Sequence, residues 1–224
     1  VMKYQLEMPE YAEVMEKIHQ VRGITGATPF ILNEVMVSSE GNISGSMIKG
    51  IDPETVGSVT DLPSSLGCEA GKPCQAMEAL EDPTKIRAKR LETTPSPGAL
   101  DERPAGGERD IIRDPLIDME PAKPDDAPAL LPGIIVGKEL ASSLKVVVGD
   151  RMNVVSPLGG ELGPQGPMPK SRPFRVAGIF YSGMFEYDSK FVYIHLREAQ
   201  SFFGIKGASG VEIKVDDVDN ARGI

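Results

Sequence analysis

A chain of 224 residues, 40% hydrophobic and 25% charged, is long enough to bury a proper core as one large or two modest domains. Its formal charge of −9 and pI near 4.9 exclude the basic footprint of a nucleic-acid binder. With no Trp and 5% aromatic residues there is little surface for base stacking, so no nucleic-acid partner is expected.

Residues 9–21 predict an amphipathic helix, with Tyr11, Val14, Met15, Ile18 and Val21 on one face, Pro9 in the first turn and Arg22-Gly23 as the stop. His19 falls on its polar side, where solvation rather than ligation is expected. Residues 27–37 read as a strand that pairs with 42–51 across Ser38-Ser39-Glu40-Gly41. Helix, strand, turn, strand is part of a split β-α-β arrangement.

From Asp52-Pro53 to about Pro132 the chain is rich in Pro, Gly, Asp and Glu. Residues 75–81 and 84–91 predict short helices. Residues 93–128 approach low complexity, with apolar anchors only in 110–119, so an inserted, partly flexible subdomain is expected over 51–130. Cys68 and Cys74 stand six residues apart in G-C-E-A-G-K-P-C. A disulfide there closes a small loop, worth about 2 kcal/mol in the chain-entropy model, and implies an oxidising compartment. Free thiols are the alternative. A zinc site finds no second Cys pair, and His19 and His195 are remote.

Order returns with a short strand at 133–137, a helix over 138–145 burying Leu140, Ala141 and Leu144, and a strand from Arg151. Strands are then expected at 174–181, 190–195 and 210–215, with a helix over 196–203 that Gly204 ends. His195, closing a strand before that helix, is expected to be structural. Between the strands beginning at Arg151 and Phe174 runs S-P-L-G-G-E-L-G-P-Q-G-P-M-P-K-S-R, residues 156–172. Proline lacks the ladder N–H and glycine weakens strands, so this run reads as a long loop projecting from two paired strands. Leu162 and Met168 are apolar with no evident core to enter. An ordinary unstructured hairpin loop is the alternative.

Motifs of bond chemistry are missing: no phosphate loop, no G-x-G-x-x-G after a strand, no H-E-x-x-H and no G-x-S-x-G. Glu139, Glu186, Asp188 and Asp216-Asp217 have no spacing that separates catalysis from solubility. Neither an enzyme nor a cofactor or metal site is expected. No apolar run approaches the roughly 18–20 residues of a membrane-spanning helix, and the chain reads as a piece of a longer protein.

Ile134-Ile135-Val136-Gly137-Lys138-Glu139-Leu140-Ala141, followed by Leu144, Val146 and Val148-Gly149-Asp150, resembles the G-x-x-L-A-x-x-L-x-V-x-x-G-D stretch of the periplasmic domains of lipoprotein-releasing (Lol) transporter permeases, the LolC/LolE family. F-R-V-A-G-I-F at 174–180, the strand over 187–193 and G-V-E-I-K-V-D-D at 210–217 extend the resemblance. It is weaker over residues 10–53, where I-K-G-I-D-P agrees, and absent from the proline-rich insertion.

That resemblance implies an α+β fold. A Porter-type domain would be assembled from 1–50 and 131–224, a mainly β Sabre-like subdomain inserted at 51–130, and a β-hairpin hook would protrude at 156–172. It implies an inner-membrane ABC permease whose domain lies in the periplasm. The partners it implies are a LolA-like lipoprotein chaperone held by the hook, a LolD-like ATPase subunit, a second permease subunit and lipoprotein substrates. The hook residues are then Pro157, Leu162, Pro164, Gly166, Met168 and Pro169, with Lys170, Ser171 and Arg172 at the base steering the partner. Asn153 departs from the basic residue of its place in the family. The wider superfamily offers two alternatives: a MacB-like export domain binding a periplasmic adaptor, and an FtsX-like regulator of a cell-wall hydrolase.

Overall fold

Strand β1 (Ile24–Ser39) is 16 residues long and carries three neighbours. The helix before it, α1 (Tyr11–His19), is shorter than the sequence predicts, and Val21 lies beyond its end, 37% exposed. Ile18 is buried, and Tyr11, Val14 and Met15 pack with it against Ala27 of β1. Strand β2 (Asn42–Ile51) returns antiparallel through Glu40-Gly41 alone, because Ser39 pairs with Asn42. Both turn residues have positive φ, 44° and 88°, which a two-residue hairpin matching the strand twist requires.

The structure, a computed structural model, describes residues 8–69, 72–86, 130–157, 162–163, 166–167 and 169–217. The described residues before 90 and those from 130 onward form one compact unit. After β2 come α2 (Leu62–Ser65) and α3 (Gln75–Glu81), flanked by 3₁₀ turns at Val56–Ser58 and Pro83–Lys85. The helix expected over 84–91 is instead a 3₁₀ turn as far as it is described. Its cause is Asp82, whose carboxylate accepts from Thr84 N–H at 3.0 Å and Thr84 Oγ1–H at 2.6 Å and so caps a new turn. The regular elements described between 52 and 86 are thus helical, and they pack on the sheet: Val56, Leu62, Met77 and Leu80 share a core with Ile135 and Phe180. Residues 87–129, including the apolar anchors expected at 110–119 and the proline-rich stretch, lie outside the described residues.

The second half supplies β3 (Gly133–Gly137), α4 (Lys138–Leu144), β4 (Arg151–Ser156), the two-residue strands β5 (Leu162–Gly163) and β6 (Gly166–Pro167), β7 (Lys170–Phe180), α5 (Phe185–Lys190), β8 (Phe191–His195), α6 (Leu196–Phe203) and β9 (Gly210–Val215). The fold is α+β. Seven strands run in the order β2-β8-β3-β7-β4-β1-β9, and the further β1–β2 pairing closes six of them into a ring. Two of the ring's pairings, β2–β8 and β3–β7, are parallel and the other four antiparallel.

The apolar run G-I-I-V-G becomes a strand buried at every position, as a strand covered on both faces demands. Ile134 and Val136 enter the main core with Leu140, Leu144, Phe174 and Phe202. Ile135 faces the other way, toward the helices of 52–86.

Candidate functional site

The projecting element grows from the β4–β7 ladder, which runs from Arg151↔Arg175 to Ser156↔Lys170. The strand β7 begins at Lys170, four residues before the expected Phe174, so part of the run read as loop is strand. Pro173 does not interrupt it. Arg175 N–H donates to Pro132 O at 2.9 Å on the β3 side, so the nitrogen of Pro173, two residues back, faces that same side. The first β3 residue to pair is Gly133, opposite Arg175, which leaves no ladder bond there for the proline to lose.

Beyond the ladder, Leu162 pairs with Pro167 and Gly163 with Gly166, antiparallel, so the projection is a hairpin with a two-rung ladder of its own. Of the predicted hook residues, Leu162 and Gly166 thus sit on its two strands, whereas Pro164 and Met168 lie outside the described residues. Pro157 and Pro169 flank the root and are exposed. Beside Pro157, Met36, Met47 and Lys190 help line a groove of about 390 Å³.

The base cations make contacts within the domain. Lys170 Nζ donates to Ser201 O at 3.2 Å and stands 5.7 Å from the Phe202 ring centre. Arg172 Nη2 lies 2.7 Å from Glu198 Oε2, each side chain about one-third exposed at 32%. Phe174, on the same face of β7, meets Phe202 edge-on with ring centres 6.4 Å apart. Residues 170, 172 and 174 all reach α6, while Ser171 is exposed. Glu198 was missed in the sequence. Its signal is modest: it precedes inward-facing Ala199 and Phe202 by one and four positions, on the flank a neighbouring strand can reach.

His195 caps α6: its Nδ1 accepts the Arg197 N–H at 3.0 Å, so the proton of the neutral ring sits on Nε2. Burial, reinforced by the Arg197 charge, holds its pKa below the usual histidine value, while the carboxylates of Asp52, Glu198 and Glu81 oppose the shift. A depressed pKa places the extra proton in the unfolded chain. The cap's contribution is therefore complete above about pH 6.5 and is lost as pH falls from there through the folded-state value. Between pH 7.5 and 5 the wild type should lose about 1 kcal/mol more stability than His195→Asn, which caps without titrating. Urea unfolding at both pH values checks this.

The carboxylates singled out in the sequence do not converge. Asp188 is buried (1% exposed) and accepts from Ser182 N–H and Oγ–H, both at 2.8 Å, tying the turn before α5 to that helix. No group of three metal-ligating side chains occurs among the described residues. Cys68 and Cys74 are bonded to each other, Cα atoms 5.3 Å apart, and the bridge spans the connection from α2 to α3. No described helix is long and apolar enough to cross a membrane.

Among curated proteins, the chain is 24% identical over 201 residues to the lipoprotein-releasing system transmembrane protein LolC of Neisseria meningitidis serogroup B, covering 89% of this chain and 35% of that protein. Proteins of the same name from two Xylella fastidiosa strains, Temecula1 and 9a5c, are each 35% identical over 96 residues, 42% of this chain and 23% of theirs. The chain is LolC-like. This LolC-like chain spans about a third of the Neisseria protein's length and about a quarter of the Xylella ones. No sequence profile of a known protein family matches it. The extracellular domain of the noncanonic ABC-type transporter YknZ from Gram-positive bacteria superposes on 99% of the chain and 84% of its own, at 12% identity and a TM-score of 0.43, too loosely to bear on the fold.

Proposed function

We propose that this chain is the periplasmic domain of an inner-membrane ABC permease that releases lipoproteins, and that its hairpin recruits a periplasmic lipoprotein chaperone. The observation that carries the reading is the hairpin itself, in a chain LolC-like over most of its length: between the two strands of the six-pair β4–β7 ladder, Leu162 pairs with Pro167 and Gly163 with Gly166. A hairpin offers a partner a narrow, preformed element with apolar residues and prolines that limit the ordering lost on docking. Leu162 and Met168 are the anchors in this reading, each worth about 1.5–3 kcal/mol when buried, so truncating either weakens binding roughly tenfold or more. ATP hydrolysis belongs to a separate LolD-like subunit, and a second permease subunit completes the transporter.

The test is chaperone binding by the chain beside a variant with residues 159–169 replaced by a short Gly-Ser turn. Because β4 ends at Ser156 and β7 begins at Lys170, the replacement spares the ladder. Binding by the wild type and none by a variant that melts at the same temperature is the expected result. Equal binding, or none by either, removes the hairpin's role and favours an export or regulatory domain.

A further inference from the structure

We infer that Arg172 and Lys170 are positioning residues, which hold the hairpin in a fixed direction by gripping α6 at both ends. This inference rests on the docking role proposed above for the hairpin. Arg172 pairs with Glu198 in the first turn of α6, and Lys170 donates to the Ser201 carbonyl in its last turn. Both polarities suit the helix: a carboxylate near its N-terminus and a cation near its C-terminal carbonyls. Phe174 against Phe202 closes the same seam from the core side. A two-stranded ribbon that has left its sheet is free to bend and twist about its root. Lys170 and Arg172 lie on the last rungs of the β4–β7 ladder, where β7 has no β3 partner, so two attachments spaced along a helix brace the root from which the ribbon departs.

The grip also gives the cations at the base of an acidic chain's projection partners within the domain, although both stay partly exposed. Lys170 places one N–H and Arg172 its charge on α6, and their displacement would loosen the root. α6 leads into β9, whose neighbour β1 receives the Ser209 N–H on Phe30 O at 2.8 Å. The hairpin is thus referenced to the rigid sheet and not to its own turn.

The experiment is a spin-label distance measurement between Gly163→Cys on the hairpin and Ser143→Cys on α4, the Cys68–Cys74 bridge being left intact. The wild type should give one narrow distribution. Glu198→Gln should broaden it, and the exchanged pair Arg172→Glu with Glu198→Arg should restore it. A distribution that Glu198→Gln leaves unchanged, or that the exchange fails to restore, overturns the inference. Purified lipoprotein chaperone supplies the second readout: affinity should fall by up to about fivefold in Glu198→Gln and recover in the exchanged pair. An exchanged pair that restores the distance but not the affinity would make Arg172 a direct contact and overturn its assignment as a positioning residue. If no form binds chaperone, the docking role fails, while the distances still decide whether α6 fixes the hairpin.

Discussion

Phe202→Ala should destabilise the domain by about 3–5 kcal/mol, the range for truncating a fully enclosed aromatic. Phe202 is 0% exposed. Its ring meets Phe174 at 6.4 Å and 86°, and Phe203 at 4.9 Å and 71°. Lys170 sits above it as well. The ring removed has no neighbour able to fill its place, since Phe174 is fixed in the middle of β7 and Ala199 is already against the sheet. The urea midpoint should drop with the slope of the transition unchanged, which marks lost stability and not a less compact native state. Phe202→Leu, keeping most of the volume, should recover more than half of the loss. If the alanine variant unfolds within about 1 kcal/mol of wild type, α6 is not the element that closes the main core.

Gly137→Ala is the second large effect, at about 3 kcal/mol from overpacking. Gly137 ends β3 and caps α4, and its backbone passes α5 so closely that a Cβ would lie 2.3 Å from the Asp188 carbonyl oxygen and 2.9 Å from its Cα. Both are main-chain atoms, so no side chain can swing aside. Nor can α5 withdraw easily, because the buried Asp188 carboxylate holds the Ser182 N–H and hydroxyl. Gly45→Ala is the control: a Cβ there meets nothing within 4 Å, and alanine is the better strand residue, so the change should be neutral or slightly stabilising. A Gly137→Ala variant that melts with wild type would mean that α5 yields at little cost.

The strand at 133–137 and the helix over 196–203 were legible in the sequence because each carries its signal locally: an unbroken apolar run, and a periodic face ended by glycine. The hairpin was legible as a projection from its prolines and glycines, but not as a paired element. Its two distal rungs and the early start of β7 depend on partners across the turn, which composition does not report. The short helices of 52–86 were blurred for another reason. Asp82 captures Thr84 and ends one helical reading in favour of a tighter turn, a competition decided by a side chain and not by periodicity. The Arg172–Glu198 pair joins residues 26 positions apart and exists only once β7 lies beside α6. The contacts of Lys170 and Arg172 with α6 were therefore not legible in the sequence, whatever partner the resemblance assigns them.

The length of β1 bears on how work reaches the hairpin. At one end, Asp216 N–H bonds to Gly23 O at 3.0 Å, and β9 runs along the first part of β1. At the other end, Met36–Ser38 pair with β4, the strand from which the hairpin departs. Between them lies one extended segment with a register shift only at its start, between Ile24 and Gly26, about 45 Å at the usual strand rise. A loop would absorb a pull in its own torsions. An extended strand bonded along its flanks is close to its contour limit and transmits tension and twist with little slack. A displacement imposed at Gly23 would arrive at the hairpin root as a displacement, making β1 the domain's tie-rod.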